Sequence, residues 1–235
     1  MTDGQTMAIT GTSKGLGRAI AEFYLQKGFR VAGCSRSDAT LAHDNYHHSA
    51  VDVTDEAAVA RWIRTVKSHF GHIDVLICNA GSAPATLLLT MTPGKTLDNV
   101  LRTNVMGTFF AAREAAKVMM RQKSGRIITV SSMAVGLHQI GTSAYAASKS
   151  AIVETTKILA KELAEFGVTA NVIAPSMVMT DAVDALGEAV IAKALNDLTL
   201  KRTLSIDEIC NVITFLIAPE SACITGQVLQ MGLVS

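Results

Sequence analysis

The chain has 235 residues and a formal net charge of +1; 49% of it is hydrophobic and only 17% charged. Globular chains average about 25% charged residues, so this one is too apolar to be a disordered or solvating protein. Its near-neutral balance argues against a nucleic-acid or anionic-membrane partner, which normally needs a basic field. No apolar run reaches the roughly 20 residues that span a bilayer. The opening Met1–Gln5 has no basic stretch followed by an apolar one, so no secretory leader is expected. Cys34, Cys78, Cys210 and Cys223 show no close-pair spacing and three sit in apolar runs, which fits free thiols in a reducing cytoplasm. No linker, repeat or low-complexity tract divides the chain, so a single domain over residues 1–235 is expected.

Short apolar runs alternate with longer helical patterns throughout. Thr6–Thr10 reads as a strand, Gly15–Lys27 as a helix and Phe29–Cys34 as a second strand closed by Ser35-Arg36-Ser37-Asp38. His43, His47 and His48 read as a polar loop without a metal-ligand pattern, followed by a strand near His48–Val53. A helix then opens at Thr54-Asp55-Glu56, with Thr54 as its cap. Ile73–Cys78 is a strand, Leu97–Arg121 a long helix and Arg126–Ser131 a strand. Ser143–Glu165 and Val168–Ile173 continue the alternation, a variable segment occupies residues 176–202, and Ile206–Ile217 and Gln227–Gln230 close it. Continuous apolar runs such as Ile73-Asp74-Val75-Leu76-Ile77 belong in a parallel sheet covered on both faces. The pattern predicts an α/β, Rossmann-type doubly wound domain with seven parallel strands and helices on both faces.

Gly11-Thr12-Ser13-Lys14-Gly15-Leu16-Gly17 falls where the first strand turns into the first helix. There, backbone N–H groups and the positive end of a helix dipole can cradle a dinucleotide pyrophosphate, and glycines permit the close approach. NAD-binding units place an acid about 20 residues further on, against the ribose 2′-hydroxyl. Here the second strand ends in Ser35-Arg36 instead. A guanidinium can grip a 2′-phosphate with forked, charge-assisted bonds, and Lys14 adds a second cation, so the expected cofactor is NADPH/NADP.

Tyr145 and Lys149 lie four residues apart at the start of a helix, on one face. A phenol titrates near pH 10, and a neighbouring ammonium lowers that value toward the range proton transfer requires. Ser131-Ser132 ends a strand, Ser132 being 13 residues before Tyr145. Asn79-Ala80-Gly81 ends another, and Asn104 lies in the long helix. The strand-end groups fall where ligands bind in such sheets.

Together these motifs resemble the compact, single-domain short-chain dehydrogenase/reductases, most closely the 3-oxoacyl-carrier-protein reductases and related NADPH ketone reductases, over about Thr6–Leu229. The resemblance implies that Tyr145 is the general acid/base and that Lys149 lowers its pKa and binds the nicotinamide ribose. It implies that Ser132 bonds the substrate carbonyl and that Asn104 holds a water linking Lys149 to solvent. It also implies that Gly11–Gly17 cradle the pyrophosphate, that Asp52 and Val53 sit by the adenine, and that Asn79, Ala80 and Gly81 line the cofactor site. Pro175 through Thr180, with Val178, would cover the nicotinamide, and His138 would border the substrate. Three departures stand out: Cys78 where the family usually has Asn, Pro175-Ser176 for Pro-Gly, and Met231–Ser235 for a C-terminal Asp-Gly-Gly. The loss of glycine at Ser176 is expected to re-aim the lid formed by about 176–202.

The implied reaction is reduction of a small-molecule or acyl-thioester ketone. Lys117, Arg121, Lys123 and Arg126 are candidates for a patch meeting an acidic carrier protein. NAD-dependent alcohol oxidation is the enzymatic alternative, and a dinucleotide-binding regulator the non-enzymatic one, although a regulator is expected to lose one of Asn104, Ser132, Tyr145 or Lys149. Enoyl reductases of the family use a wider Tyr–Lys spacing. The family's habit of packing its two long helices between subunits implies a homotetramer or homodimer, through faces such as Val105, Phe109, Ala112 and Ala116 or Ile152, Thr156, Leu159 and Leu163.

Overall fold

In the computed structural model, which describes residues 4–38, 41–179, 183 and 188–234, seven strands form one parallel sheet in the order β3-β2-β1-β4-β5-β6-β7. The strands are β1 (Thr6–Thr10), β2 (Arg30–Ser35), β3 (Tyr46–Ala50), β4 (Val75–Cys78), β5 (Gly125–Val130), β6 (Val168–Pro175) and β7 (Val228–Met231). The order reverses at β1, between β2 and β4, which opens a crevice at the carboxyl ends of the strands where such sheets bind ligands.

Alternation along β1 shows how two cores form. Met7 and Ile9 point to one face and Ala8 to the other. On the first face they meet Ile20 and Tyr24 of helix α1 (Gly15–Gln26) and Ile209 and Ile213 of α8 (Ile206–Ile217). On the second, Ala8 and Leu76 pack with Trp62 and Ile63 of α2 (Glu56–Phe70) and Ala111 and Ala115 of α4 (Gly107–Gln122). Leu163 of α6 (Ser143–Leu163) completes that layer. Helix α8 begins where Ser205 and Glu208 form a reciprocal capping box. No helix among the described residues is long and apolar enough to cross a membrane.

Several boundaries differ from the sequence expectation. Helix α2 is capped by Asp55, whose carboxylate accepts from Ala58 N at 3.0 Å, and not by Thr54, whose own N–H is taken by Asp52 at 2.9 Å. Strand β3 begins two residues before the expected one, so His47 and His48 lie in a strand and not in a polar loop. As the edge of the sheet, β3 needs no apolar residues on both faces. The long helix is interrupted: α3 (Gly94–Val100) runs through a π-helical stretch, Leu101–Met106, into α4. Such π-turns displace side chains from the regular helical positions and are frequent at functional sites. The described residues also include the short helices α5 (Ala134–Leu137) and α7 (Glu188–Asn196). Cys34, Cys78, Cys210 and Cys223 are free thiols, the first three buried.

Candidate active site

The glycine loop is built against the end of β4. Gly11 has φ +79°, and a side chain there would strike the Ala80 backbone. A Cβ on Gly17 would lie 2.3 Å from both Asn79 Nδ2 and the Gly11 carbonyl oxygen. Asn79 takes that space, donating through Nδ2 to the carbonyls of Thr10 and Gly11 at 3.0 and 3.2 Å. Thr10 Oγ1 accepts from the backbone N–H of Asn79 and of Ala80. Asn79 therefore ties two strands together and holds the loop's shape. Thr10, which immediately precedes Gly11 in the loop motif, adds a structural role that the expected cofactor residues did not include.

The loop leads into an α1 whose first turn contains no acid and whose N-cap, Lys14, makes no side-chain cap bond. Gly15 is at φ +59°, and Ser13 and Leu16 are half-buried. At the neighbouring strand end, Cys34 O accepts from Gly11 N at 2.7 Å and Thr12 N at 3.2 Å, so Ser35 and the exposed Arg36 lie beside the loop. Ser35 Oγ donates to Ser37 O at 2.8 Å, closing a tight turn. Val53 packs where a side chain on Gly107 would otherwise sit, while Asp52 is exposed.

Ser132, Tyr145, Lys149 and Asn104 converge beyond β4 and β5. Lys149 is 4% exposed and donates from Nζ to Val130 O at 2.8 Å. Burial lowers its ammonium to about 8. Nζ lies 5.7 Å from the centre of the Tyr145 ring. Burial raises the Tyr145 phenol above its ordinary range, with the hydrogen bond to Ser132 acting in the opposite direction. The expected lowering by Lys149 is outweighed here, because desolvation is the larger effect and the ammonium is turned to a backbone carbonyl.

Asn104, fully buried on the π-turn, accepts from Ser82 N at 2.7 Å and donates to Ser82 O and Ser148 Oγ, both at 3.0 Å. Ser148 Oγ in turn donates to the Tyr145 carbonyl at 2.7 Å. Asn104 thus joins the loop after β4 to the helix bearing Tyr145 and Lys149. Gly81 fits between them: a Cβ there would be 3.3 Å from Asn104 Oδ1 and 3.5 Å from Lys149 Nζ. Ser82 and Ser148 were not singled out in the sequence, since neither belongs to a spaced motif.

Pro175 ends β6 and its carbonyl accepts from Met133 N at 3.1 Å. Val178 is buried and pairs with Leu204, whereas Thr180 lies outside the described residues. Ser176 is not among the described residues with left-handed backbone, so glycine's extra freedom is unnecessary there. Its N–H donates to Met231 O at 2.8 Å, and its buried Oγ occupies the space a Cβ on Gly232 would fill. Gly232 O accepts from Leu200 N at 3.1 Å, and Val234 N donates to Thr199 Oγ1 at 2.9 Å. The tail Met231–Val234 therefore fastens both roots of segment 176–202. His138 is exposed, in left-handed backbone at φ +49°. Cys78 packs in the core, its Sγ 3.9 Å from Thr108 O.

The proposed carrier-protein patch is misplaced. Arg126 is the second residue of β5 and Ser132 follows its end, about 20 Å away at about 3.3 Å per strand residue. Lys117 pairs with Glu114 at 2.7 Å, and Lys123 lies over the Phe166 ring. Arg126 therefore lies at the amino ends of the strands, whereas the site lies at their carboxyl ends.

A family model described as "Enoyl-(Acyl carrier protein) reductase" matches residues 11–232. The chain belongs to the short-chain dehydrogenase/reductase family. It is 33% identical to the 3-oxoacyl-[acyl-carrier-protein] reductase FabG of Vibrio harveyi over 236 residues, covering 98% of this chain and 96% of the relative. Among solved structures, ElxO with NADP bound superposes with a TM-score of 0.91 at 27% identity, covering 97% of each chain. NAD+-bound xylitol dehydrogenase superposes at 0.88 with 25% identity, again over 97% of each. As a short-chain dehydrogenase/reductase, the protein is an oxidoreductase.

Proposed function

We propose that the protein reduces a ketone to a secondary alcohol with NADPH, using Tyr145 as general acid. The observation that carries the reading is the convergence of Ser132, Tyr145 and Lys149 beside Gly81, at the carboxyl ends of β4 and β5. The residues also suit the cofactor. An α1 N-terminus without an acid in its first turn favours a pyrophosphate. Arg36 in place of a carboxylate favours a 2′-phosphate. The similarity to FabG and to NADP-bound ElxO points the same way.

When bound, NADPH supplies the hydride. Lys149 would hold the nicotinamide ribose: an ammonium has three donors, and Val130 takes one. Ser132 and Tyr145 would bind the carbonyl oxygen, and Tyr145, kept protonated by burial, would deliver its proton as charge develops there. Asn104 holds Tyr145 and Lys149 in register through Ser148. Pro175, Val178 and the segment 176–202 would cover the nicotinamide, within one domain.

Exposed Leu88, Leu89 and Met91 precede the π-turned helix, and exposed Ile140 lies between Ser132 and Tyr145. Leu87 N donates to Gly141 O at 3.1 Å, so the two loops are joined. This apolar rim supports an acyl thioester or other apolar ketone over a sugar-derived one. NADPH consumption with 3-oxoacyl thioesters, cyclic ketones and sugar-derived ketones tests the reading; no turnover on any of them overturns it. NAD-dependent alcohol oxidation is the second reading, favoured by the likeness to NAD+-bound xylitol dehydrogenase. The two separate on Arg36→Leu, which is expected to raise KM for NADPH about tenfold or more and leave that for NADH nearly unchanged, given roughly 1.5–3 kcal/mol for a charged hydrogen bond. Equal effects on both would exclude a 2′-phosphate role.

We also propose a homotetramer or homodimer through α4 and α6, in the cytoplasm, where free thiols persist. Of the expected contact residues, Ala112, Ala116, Ile152, Thr156 and Leu163 are largely buried within the chain, although Ala112, Ala116 and Leu163, with Leu159, still line the groove between the two helices. The exposed apolar residues on this face are Phe109 and Ile158. Phe109→Asp should therefore shift the protein to a monomer in sedimentation velocity; a monomeric wild type would refute the assembly.

A further inference from the structure

Two loops leave the carboxyl ends of β4 and β5, and both hold large apolar side chains in solvent. Leu88, Leu89 and Met91 are exposed on the first, and Ile140, 80% exposed, on the second. Single exposed apolar residues are ordinary on a protein surface, whereas a group of them beside a site marks a binding function. Here the backbone itself keeps these side chains turned outward.

In the first loop, Met91 N donates to Leu88 O at 2.8 Å and Thr92 N to Leu89 O at 3.2 Å, closing a short 3₁₀ turn. Thr92 Oγ1 adds a bond to Leu88 O at 3.0 Å. In the second loop, Thr142 donates to Gln139 O twice, from N at 3.2 Å and from Oγ1 at 2.7 Å. The loops meet where Leu87 N donates to Gly141 O at 3.1 Å. Gly141 is at φ +86°, and a Cβ there would strike Thr86 Cγ2, so only glycine permits the junction. The joined loops stand on the frame that positions Tyr145. Asn104 binds Ser82, at the root of the first loop, and Ser148 of α6. Thr142 is the N-cap of α6, three residues before Tyr145, or about 4.5 Å along the axis at 1.5 Å per residue.

These walls are also uncharged. Residues 82–94 and 131–148 contain no Asp, Glu, Lys or Arg, and their titratable side chains are His138 and Tyr145. Lys95 lies beyond, in the first turn of α3, and Lys149 is buried. Arg202 is engaged by both carboxylate oxygens of Glu208, at 2.9 and 2.6 Å. A coenzyme A or carrier-protein thioester brings phosphate groups, which proteins grip with forked or clustered cations. The two walls offer none.

We infer that the ketone taken by this site is uncharged and carries an extended apolar arm, which lies across Leu88, Leu89, Met91 and Ile140. This rests on the ketone-reduction reading and narrows its substrate: the apolar arm supplies the recognition, and a phosphate-bearing carrier does not. Each methylene buried is worth up to about fourfold in binding, so the length of the arm should show in kcat/KM.

The test is NADPH-dependent reduction of 3-oxoacyl thioesters with acyl chains of four, six and eight carbons, each on N-acetylcysteamine, coenzyme A and acyl carrier protein. On N-acetylcysteamine, kcat/KM should rise about two- to fourfold per methylene, and the charged carriers should bring no further gain. Leu89→Ser and Ile140→Ser should each cut the ratio of eight- to four-carbon rates about threefold or more. Phe215→Ser, at an exposed apolar position on α8, should leave that ratio unchanged. A flat chain-length series overturns the proposal. So does a preference of about tenfold or more for the carrier-protein thioester over its N-acetylcysteamine analogue, which would give the rim to a carrier protein. An assembly lost in Ile140→Ser by sedimentation velocity would give it to a second copy of the chain, with the same consequence. Turnover in this series or on a sugar-derived ketone leaves the ketone-reduction reading standing even where the proposal fails; no turnover on any of them overturns both.

Discussion

Replacing Tyr145 by Phe is expected to lower ketone reduction by about 10²–10⁴-fold, the usual worth of a positioned general acid, while NADPH still binds. The substitution removes only the hydroxyl. The ring keeps its half-buried place, and Ser148 still bonds the Tyr145 main-chain carbonyl, so Asn104 and Lys149 remain in position. Stopped-flow reduction with a fluorescence titration of NADPH separates the two quantities, and an unaltered rate would remove Tyr145 from the chemistry. Lys149 adds a pH signature. Its ammonium is held at about 8, so kcat/KM for reduction should decline as pH rises through that value. Stability should move the other way. Between about 8 and the ordinary lysine value near 10.4, the unfolded chain holds a proton that the folded one does not, so this group's contribution to stability rises with pH. An activity loss above pH 8 without a falling melting temperature therefore reports the site and not unfolding.

Gly17→Ala should damage both cofactor binding and the fold. The new methyl would lie 2.3 Å from Asn79 Nδ2 and from the Gly11 carbonyl. The carbonyl belongs to the backbone, so Asn79 or the loop itself must move. Overpacking costs about 1–3 kcal/mol, and each lost Asn79 bond about 1 kcal/mol more. For a chain of this size that lowers Tm by about 5–10 °C. NADPH affinity should fall at least tenfold, since the loop's N–H groups would no longer share one concave surface. Gly94→Ala is the control: no atom lies within 4 Å of its Cβ, so neither quantity should fall. Differential scanning calorimetry and NADPH titration of the pair decide it, and equal behaviour of the two variants would refute the steric argument.

The parts of the fold most legible in the sequence are those whose burial is complete. Ile206–Ile217 carries its own capping box and an apolar stripe, and the observed helix has the expected bounds. Strand β3 is less legible because Tyr46-His47-His48-Ser49 is polar, and only pairing with β2 makes it a strand. In the site, the spaced motifs at Gly11–Gly17, Ser132, Tyr145 and Lys149 are visible because backbone approach and helical periodicity dictate them. The π-turn is not visible: Leu101–Met106 has ordinary helix formers, and its irregularity is matched by bonds from Asn104 to residues far along the chain.

The tail Met231–Val234 holds Ser176 at one root of the segment 176–202 and Thr199 and Leu200 at the other. Evolution and engineering must therefore treat two distant stretches of chain as one exchangeable cassette. A specificity segment transplanted from a relative without its own tail would arrive with neither end moored, and a Ser176 moved without Gly232 would meet a side chain where its hydroxyl should lie.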